Sequence, residues 1–208
     1  MLRLSKHFFI GLIFLFSAGA ALAIEEPKFS VTEQSGDFEL RTYKPMIVAE
    51  TFVSGAMDRA SGAGFKLIAD YIFGNNTSSA GGNAKISMTA PVTMEPKSEK
   101  INMTAPVSME QADGKWRVHF VMPSEYTMAT LPKPNNPAVK IRQVPVRKYA
   151  VVRFSGFSGE AKLAKKTAEL KAWLKAKGIQ PRGKVEVARY DPPWTLPFMR
   201  RNEVMIPY

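Results

Sequence analysis

Apolar residues recur along this chain at two spacings: every second position in several short runs, and every third or fourth in two longer ones. The first spacing marks half-buried strands and the second marks amphipathic helices. Two segments arrange these elements in the same order. A run at 46–53 leads through Ser54-Gly55 into a helical stretch that ends at Phe73 and Gly74. A run at 149–154 leads through Ser155-Gly156 into a second helical stretch closed by Gly178. The offset is about half the chain, which predicts a duplicated strand–turn–helix unit.

The second helix carries Leu163, Thr167, Leu170 and Leu174 on one stripe, with lysines elsewhere. Gly178 suits the left-handed position past the helix end, from which Ile179 can fold back on Leu174. The first helix is weakened at its start by Gly62 and Gly64, while Phe65, Ile68, Tyr71 and Ile72 give it a bulky buried face. Residues 75–83 read as a flexible loop with no apolar anchor, and residues 131–137 as a break stiffened by three prolines. Neither divides the chain, so a single domain over 24–208 is expected.

The strongest local feature is a repeat. Residues 85–95 recur as 100–110 with nine of eleven positions identical. Alternation places Ile86, Met88, Ala90, Val92 and Met94 on one face, and Ile101, Met103, Ala105, Val107 and Met109 on the matching one. Paired as a hairpin, Met94 would face Ile101, Val92 would face Met103 and Ala90 would face Ala105. Pro91 and Pro106 would mark bulges or strand ends. Met88 and Met94 are about 20 Å apart along a strand, too far to share a copper ion, so the methionines read as core or as a soft ligand-facing wall. The next strand points Trp116, Val118, Phe120 and Met122 one way and His119 the other, where an exposed or hydrogen-bonded histidine is expected.

Composition narrows the chemistry. The 208 residues include no Cys, which excludes disulfides, thiolate metal sites and cysteine nucleophiles. Arg3 and Lys6, the apolar run at 8–16 and Ala21-Leu22-Ala23 form an export signal over 1–23 with cleavage expected before Ile24. Counted generously, its apolar stretch makes about 24 Å of helix, short of a membrane span. Export without cysteines points to a bacterial periplasm. A net charge of +11 favours an anionic partner. No Ser-His-Asp set, phosphate-binding glycine loop or aromatic-basic nucleic-acid pattern can be assembled, so neither an enzyme nor a nucleic-acid binder is expected.

The Met-Thr-Ala-Pro-Val pair at 88–92 and 103–107 resembles that of the SOUL family of haem-binding proteins. The resemblance continues through Val121-Met122-Pro123-Ser124, Leu131-Pro132-Lys133-Pro134, the run at 147–156, Tyr190-Asp191-Pro192-Pro193-Trp194 and the run at 200–204, covering about 29–206. It implies a duplicated α+β fold, a curved antiparallel sheet or distorted β-barrel with two flanking helices. It also implies haem or another tetrapyrrole in a shallow apolar groove bordered by the first helix and the loop after Tyr-Asp-Pro-Pro. Leu67, Tyr71, Trp194 and Phe198 are then the wall residues. Family positions that carry basic groups for the haem propionates fall near Gly62, Asp70 and Thr195. Arg59, Lys66 and Arg200, with Arg201 beside it, are the available substitutes. The segment 38–53 lacks the histidine that some members use on the iron, so only Met, Tyr or His119 could supply a bond, and no other metal is expected. The implied role is a non-catalytic carrier, scavenger or buffer, monomeric, with its basic surface against anionic envelope lipids. The alternative is an envelope scaffold whose groove takes a lipid, a small hydrophobic ligand or a partner peptide.

Overall fold

The computed structural model describes residues 25–79, 81–96 and 115–208. The export signal and the second methionine copy, including Met103, lie outside the described residues. Nine strands form one antiparallel, curled sheet: β1 (Phe29–Ser35), β2 (Phe38–Tyr43), β3 (Met46–Ser54), β5 (Val92–Pro96), β6 (Lys115–Val121), β8 (Lys140–Val144), β9 (Arg147–Phe154), β10 (Glu186–Arg189) and β11 (Asn202–Pro207). Two helices, α1 (Met57–Ile72) and α2 (Glu160–Ala176), cover one of its faces. A two-strand ladder of β4 (Asn76–Thr77) and β7 (Lys133–Pro134) stands apart. This is the α+β fold that the family resemblance implies, a curved antiparallel sheet with two flanking helices.

The strand order β1-β2-β9-β11-β10-β5-β6-β3-β8 carries the duplication. Outward from the central β10–β5 pair, each half repeats the other: β11, β9 and β2 on one side answer β6, β3 and β8 on the other. β2 runs directly into β3, yet it pairs with β9; β8 runs into β9, yet it pairs with β3. Each half is therefore completed by a strand from its counterpart. The turns match too. Gly55 and Gly156 take φ of +111° and +93° after β3 and β9, a conformation that L side chains rarely adopt.

α2 ends as its sequence predicts. Gly178 is left-handed, the Gly178 N–H donates to the Lys175 carbonyl and the Ile179 N–H to the Leu174 carbonyl. Leu163, Leu170 and Leu174 are buried beneath it. In α1 the two glycines separate. Gly62 has open space around it, whereas a Cβ on Gly64 would lie 2.6 Å from Val118 Cβ and Cγ2. Gly64 lets the helix lie directly on β6.

Three sequence expectations change. The hairpin register fails at Val92 and Met94, because β5 is flanked on both sides by other strands. Val92 faces Phe120 of β6 and Arg189 of β10, and Met94 faces Val118 and Val187. Alternation assigned the apolar side of β5 correctly, since Met94 is buried in the helix-side core, but alternation carries no information about which strand lies alongside. The strand begins only at Val92, so the run before Pro91 lies outside it, and Pro91 marks the strand end as expected. Finally, the loop at 75–83 does have an anchor, a polar one. Asn76 is fully buried and donates to the Tyr71 and Ala84 carbonyls. It holds the loop to the proline-rich break through the β4–β7 ladder, with Thr77 hydrogen-bonded to Asn135.

Candidate functional site

The connection between β10 and β11 is the most apolar exposed segment described. Tyr190-Asp191-Pro192-Pro193 turns the chain outward, and Trp194 (82% exposed), Leu196, Phe198 (72%) and Met199 then face solvent. Phe157, on the β9–α2 connection, is exposed beside it. Large apolar side chains left in water at this density mark a contact surface. The loop is held in shape from within. Arg200 donates to the Thr195 carbonyl at 2.7 Å and the Pro193 carbonyl at 2.5 Å, and its guanidinium sits 5.3 Å from the Phe157 ring centre. Asp191 accepts the Arg201 N–H across the loop base. Just before the loop, at the end of β10, Arg189 Nη2 lies 2.9 Å from Asp58 Oδ1 in the first turn of α1, an exposed pair. Arg59 follows Asp58 and Lys66 lies two turns further on; both are exposed.

The predicted residues divide accordingly. Trp194 and Phe198 form an exposed apolar surface, Arg59 and Lys66 are exposed cations on the neighbouring helix, and Leu67 is half-buried against the core. Tyr71 is not available as a wall residue. It is 1% exposed, and its hydroxyl donates to the Pro132 carbonyl at 2.8 Å. Arg200 shapes the loop, with Nε and Nη2 engaged there. Phe157 and the Asp58–Arg189 pair escaped the sequence reading. A lone aromatic after a glycine turn has no period to reveal it, and an ion pair across distant segments leaves no local trace.

A model of the SOUL heme-binding protein family matches residues 24–207. The chain belongs to the SOUL family. No curated protein matches it. Among solved structures it is similar to the EcmrR C-terminal domain, at 10% identity and TM-score 0.60 over 82% of this chain and 95% of that one. It is also similar to an uncharacterized conserved protein from Listeria innocua, at 13% identity and TM-score 0.57 over 82% of this chain and 91% of that one. A hydrolase from the same organism gives 12% identity and TM-score 0.52 over 85% and 93%. At such identities the likenesses speak for the fold alone.

For a SOUL protein, the exposed loop offers large apolar side chains, with the Arg200 guanidinium beside Phe157. Histidine ligation is a different matter. His119 does point away from Trp116 and Phe120, as read from the sequence, but it is neither exposed nor, at Nδ1, hydrogen-bonded. It is 8% exposed on the helix-free face of the sheet, where Thr93 and Glu50 are its cross-strand neighbours. The curl of the sheet buries this face. Tyr149 reaches over β11 to donate to Glu186 at 2.9 Å, and Arg117 reaches over β5 to the same carboxylate at 3.9 Å. Burial above all, then the charges of Arg117, Arg142 and Arg147, hold the His119 pKa well below the ordinary histidine value. Among the described residues no group of three or more His, Cys, Asp or Glu side chains could hold a metal ion, and no helix is long and apolar enough to cross a membrane.

Proposed function

We propose that the protein binds haem or a related tetrapyrrole without catalysis, as a carrier, scavenger or buffer in the cell envelope. The observation that carries this reading is the exposure of Trp194 and Phe198 on the loop that follows β10, in a chain of the SOUL heme-binding family. Trp194, Phe198 and Phe157 would contact the ring, and Arg59 and Lys66 would meet the propionates. Arg200 would act by holding the loop. The bound group would supply redox and ligand chemistry at its iron; this chain's residues supply the surface and the charges. The envelope setting rests on the export signal at 1–23.

With no described histidine near the loop, ring and propionate contacts dominate the affinity. Haemin and iron-free protoporphyrin should therefore bind alike. Titration of the protein with each, followed by Soret absorbance and tryptophan quenching, tests this. Saturable binding of both, weakened by W194A and by R59A, is the expected result. No saturable binding of either at micromolar concentration would end the reading.

A further inference from the structure

Residues 190–201, which join β10 to β11, satisfy much of their backbone from within. Pro192, Pro193 and Pro197 carry no N–H. The Thr195, Met199 and Arg200 N–H groups donate inside the loop, to the Pro192, Leu196 and Pro197 carbonyls. The Arg201 N–H goes to Asp191, and the Pro193 and Thr195 carbonyls accept from the Arg200 side chain. Unsatisfied backbone groups are what keep ordinary loops out of lipid, because each must be stripped of water. Here that cost is already reduced.

The side chains act in the same direction. Trp194, Leu196, Phe198 and Met199 are each more than half exposed, and so is Phe157. Phe157 adjoins the loop, since the guanidinium that holds the loop carbonyls sits 5.3 Å from its ring centre. Trp, Phe, Leu and Met around an arginine make up the composition of an interfacial anchor. The aromatic rings suit the headgroup level, and the arginine can keep its charge among phosphates while its neighbours go deeper.

Charge names the kind of surface. Lys162 stands beside Arg200 in this region, with Nζ 2.8 Å from the carbonyl of Ser155, two residues before Phe157. Asp58 pairs with Arg189, Asp191 accepts the Arg201 N–H, and Glu160 is exposed at the start of α2. Charge around the loop is therefore close to balance. The attraction comes from the whole chain, whose net charge is +11, two charges of it on Arg3 and Lys6 of the export signal. A surplus of that sign draws the molecule to an anionic surface from a distance, and the apolar loop then makes the contact.

We propose that the 190–201 loop and Phe157 insert into the headgroup layer of a bilayer containing anionic lipid, as a peripheral contact. The contact uses Trp194 and Phe198 but needs no porphyrin, so it does not rest on the porphyrin reading.

Cosedimentation of the porphyrin-free protein with vesicles tests it. Vesicles of phosphatidylcholine and phosphatidylglycerol in equal parts should carry the protein down. Phosphatidylcholine alone should carry down less, and added salt should remove the difference. L196S combined with F198S should weaken binding about tenfold or more, because two large apolar contacts with lipid are lost. Both side chains are exposed, so the double variant should keep the circular dichroism of the unmutated protein. Lipids brominated near the headgroup end of their chains should quench tryptophan emission, and W194F should abolish the quenching. Trp116 and Trp173 are held within the fold, the first by the Gly55 carbonyl and the second against Phe38. Absence of cosedimentation with either vesicle, unchanged binding in the double variant, or quenching that survives W194F would overturn the proposal. So would a dimer that the double variant dissociates in the absence of vesicle binding, which would assign the loop to a second copy of the chain. Haemin titration without lipid is read separately. Vesicle binding without haemin binding keeps this proposal and removes the porphyrin reading, and haemin binding without vesicle binding does the reverse.

Discussion

Arg41 and Glu203 stand 162 positions apart in sequence and meet entirely out of water, Nη1 2.9 Å from one carboxylate oxygen and Nη2 3.1 Å from the other. Around them Glu39 accepts from Arg41 Nε at 2.6 Å, Tyr43 lies 2.9 Å from Nη1, and Tyr190 donates to Glu203 at 2.7 Å. Burial works against the arginine's charge, but the hydrogen bonds and charges of Glu203, Tyr43 and Glu39 raise its pKa above the ordinary arginine value. The pair joins β2 to β11 across β9. E203A takes the bidentate partner from a buried guanidinium, leaving it Glu39 and Tyr43, and should cost about 3 kcal/mol. A double replacement, R41M with E203L, should recover only part of that loss, since it leaves buried Glu39 with the half-exposed Arg153 at 3.5 Å. Urea unfolding of the three proteins settles the order.

The two glycines of α1 should respond in opposite directions. G62A meets open space and should gain about 0.5–1 kcal/mol from helix propensity. G64A drives a methyl into Val118 and should lose about 1–3 kcal/mol. Adding V118A to G64A should return part of the loss. Thermal denaturation would read all four, and a stabilising G64A would mean that the helix does not sit so close to β6.

Stability should fall on both sides of neutrality, for opposite reasons. The His119 pKa is depressed in the fold, so its contribution is complete above the unfolded value near 6.5 and is lost as pH falls below it. The slope approaches about 1.4 kcal/mol per pH unit, and H119F should flatten it. The buried tyrosines behave in the other sense. Burial first pushes Tyr43 up to about 12, and it raises Tyr71, Tyr149 and Tyr190 as well. Their contribution is complete below about 10 and is lost as pH rises beyond it. Absorbance at the tyrosinate band should therefore grow together with loss of helix signal, not before it. Urea midpoints from pH 5 to 8 test the first limb and paired absorbance and circular dichroism the second.

Trp194→Ala should separate binding from folding. The side chain is exposed, so stability should change by no more than about 0.5 kcal/mol. Porphyrin affinity should drop about tenfold. R200K should also weaken porphyrin, since a lysine cannot bridge the Thr195 and Pro193 carbonyls as the guanidinium does. Proteolysis within 190–200 should speed up in R200K and stay unchanged in W194A.

Local pattern reached some of this and missed the rest for a consistent reason. The end of α2 was readable because Leu174, Gly178 and Ile179 lie within one turn of one another. The side on which Met94 and His119 sit was readable from alternation. The strands beside Met94, and the cover over His119, depend on partners far along the chain and on sheet curl, which no period encodes. Tyr71 satisfied two readings at once, buried stripe and groove wall, and only its bond to Pro132 decides between them. Asn76 was overlooked because a buried amide has the same sequence signature as an exposed one.

The exchanged strands β2 and β8 have a kinetic consequence. Neither half can finish its own sheet until the other has been made, because β2 waits for β9 and β3 waits for β8. Chains that must close such large loops before any contact rewards them fold slowly, on the order of milliseconds to seconds. An early half would expose the unpaired edges of β2 and β3 throughout that wait. Synthesis from the N-terminus always produces that half first, which makes the interval before β8 and β9 emerge the period when this chain most needs protection from its own copies.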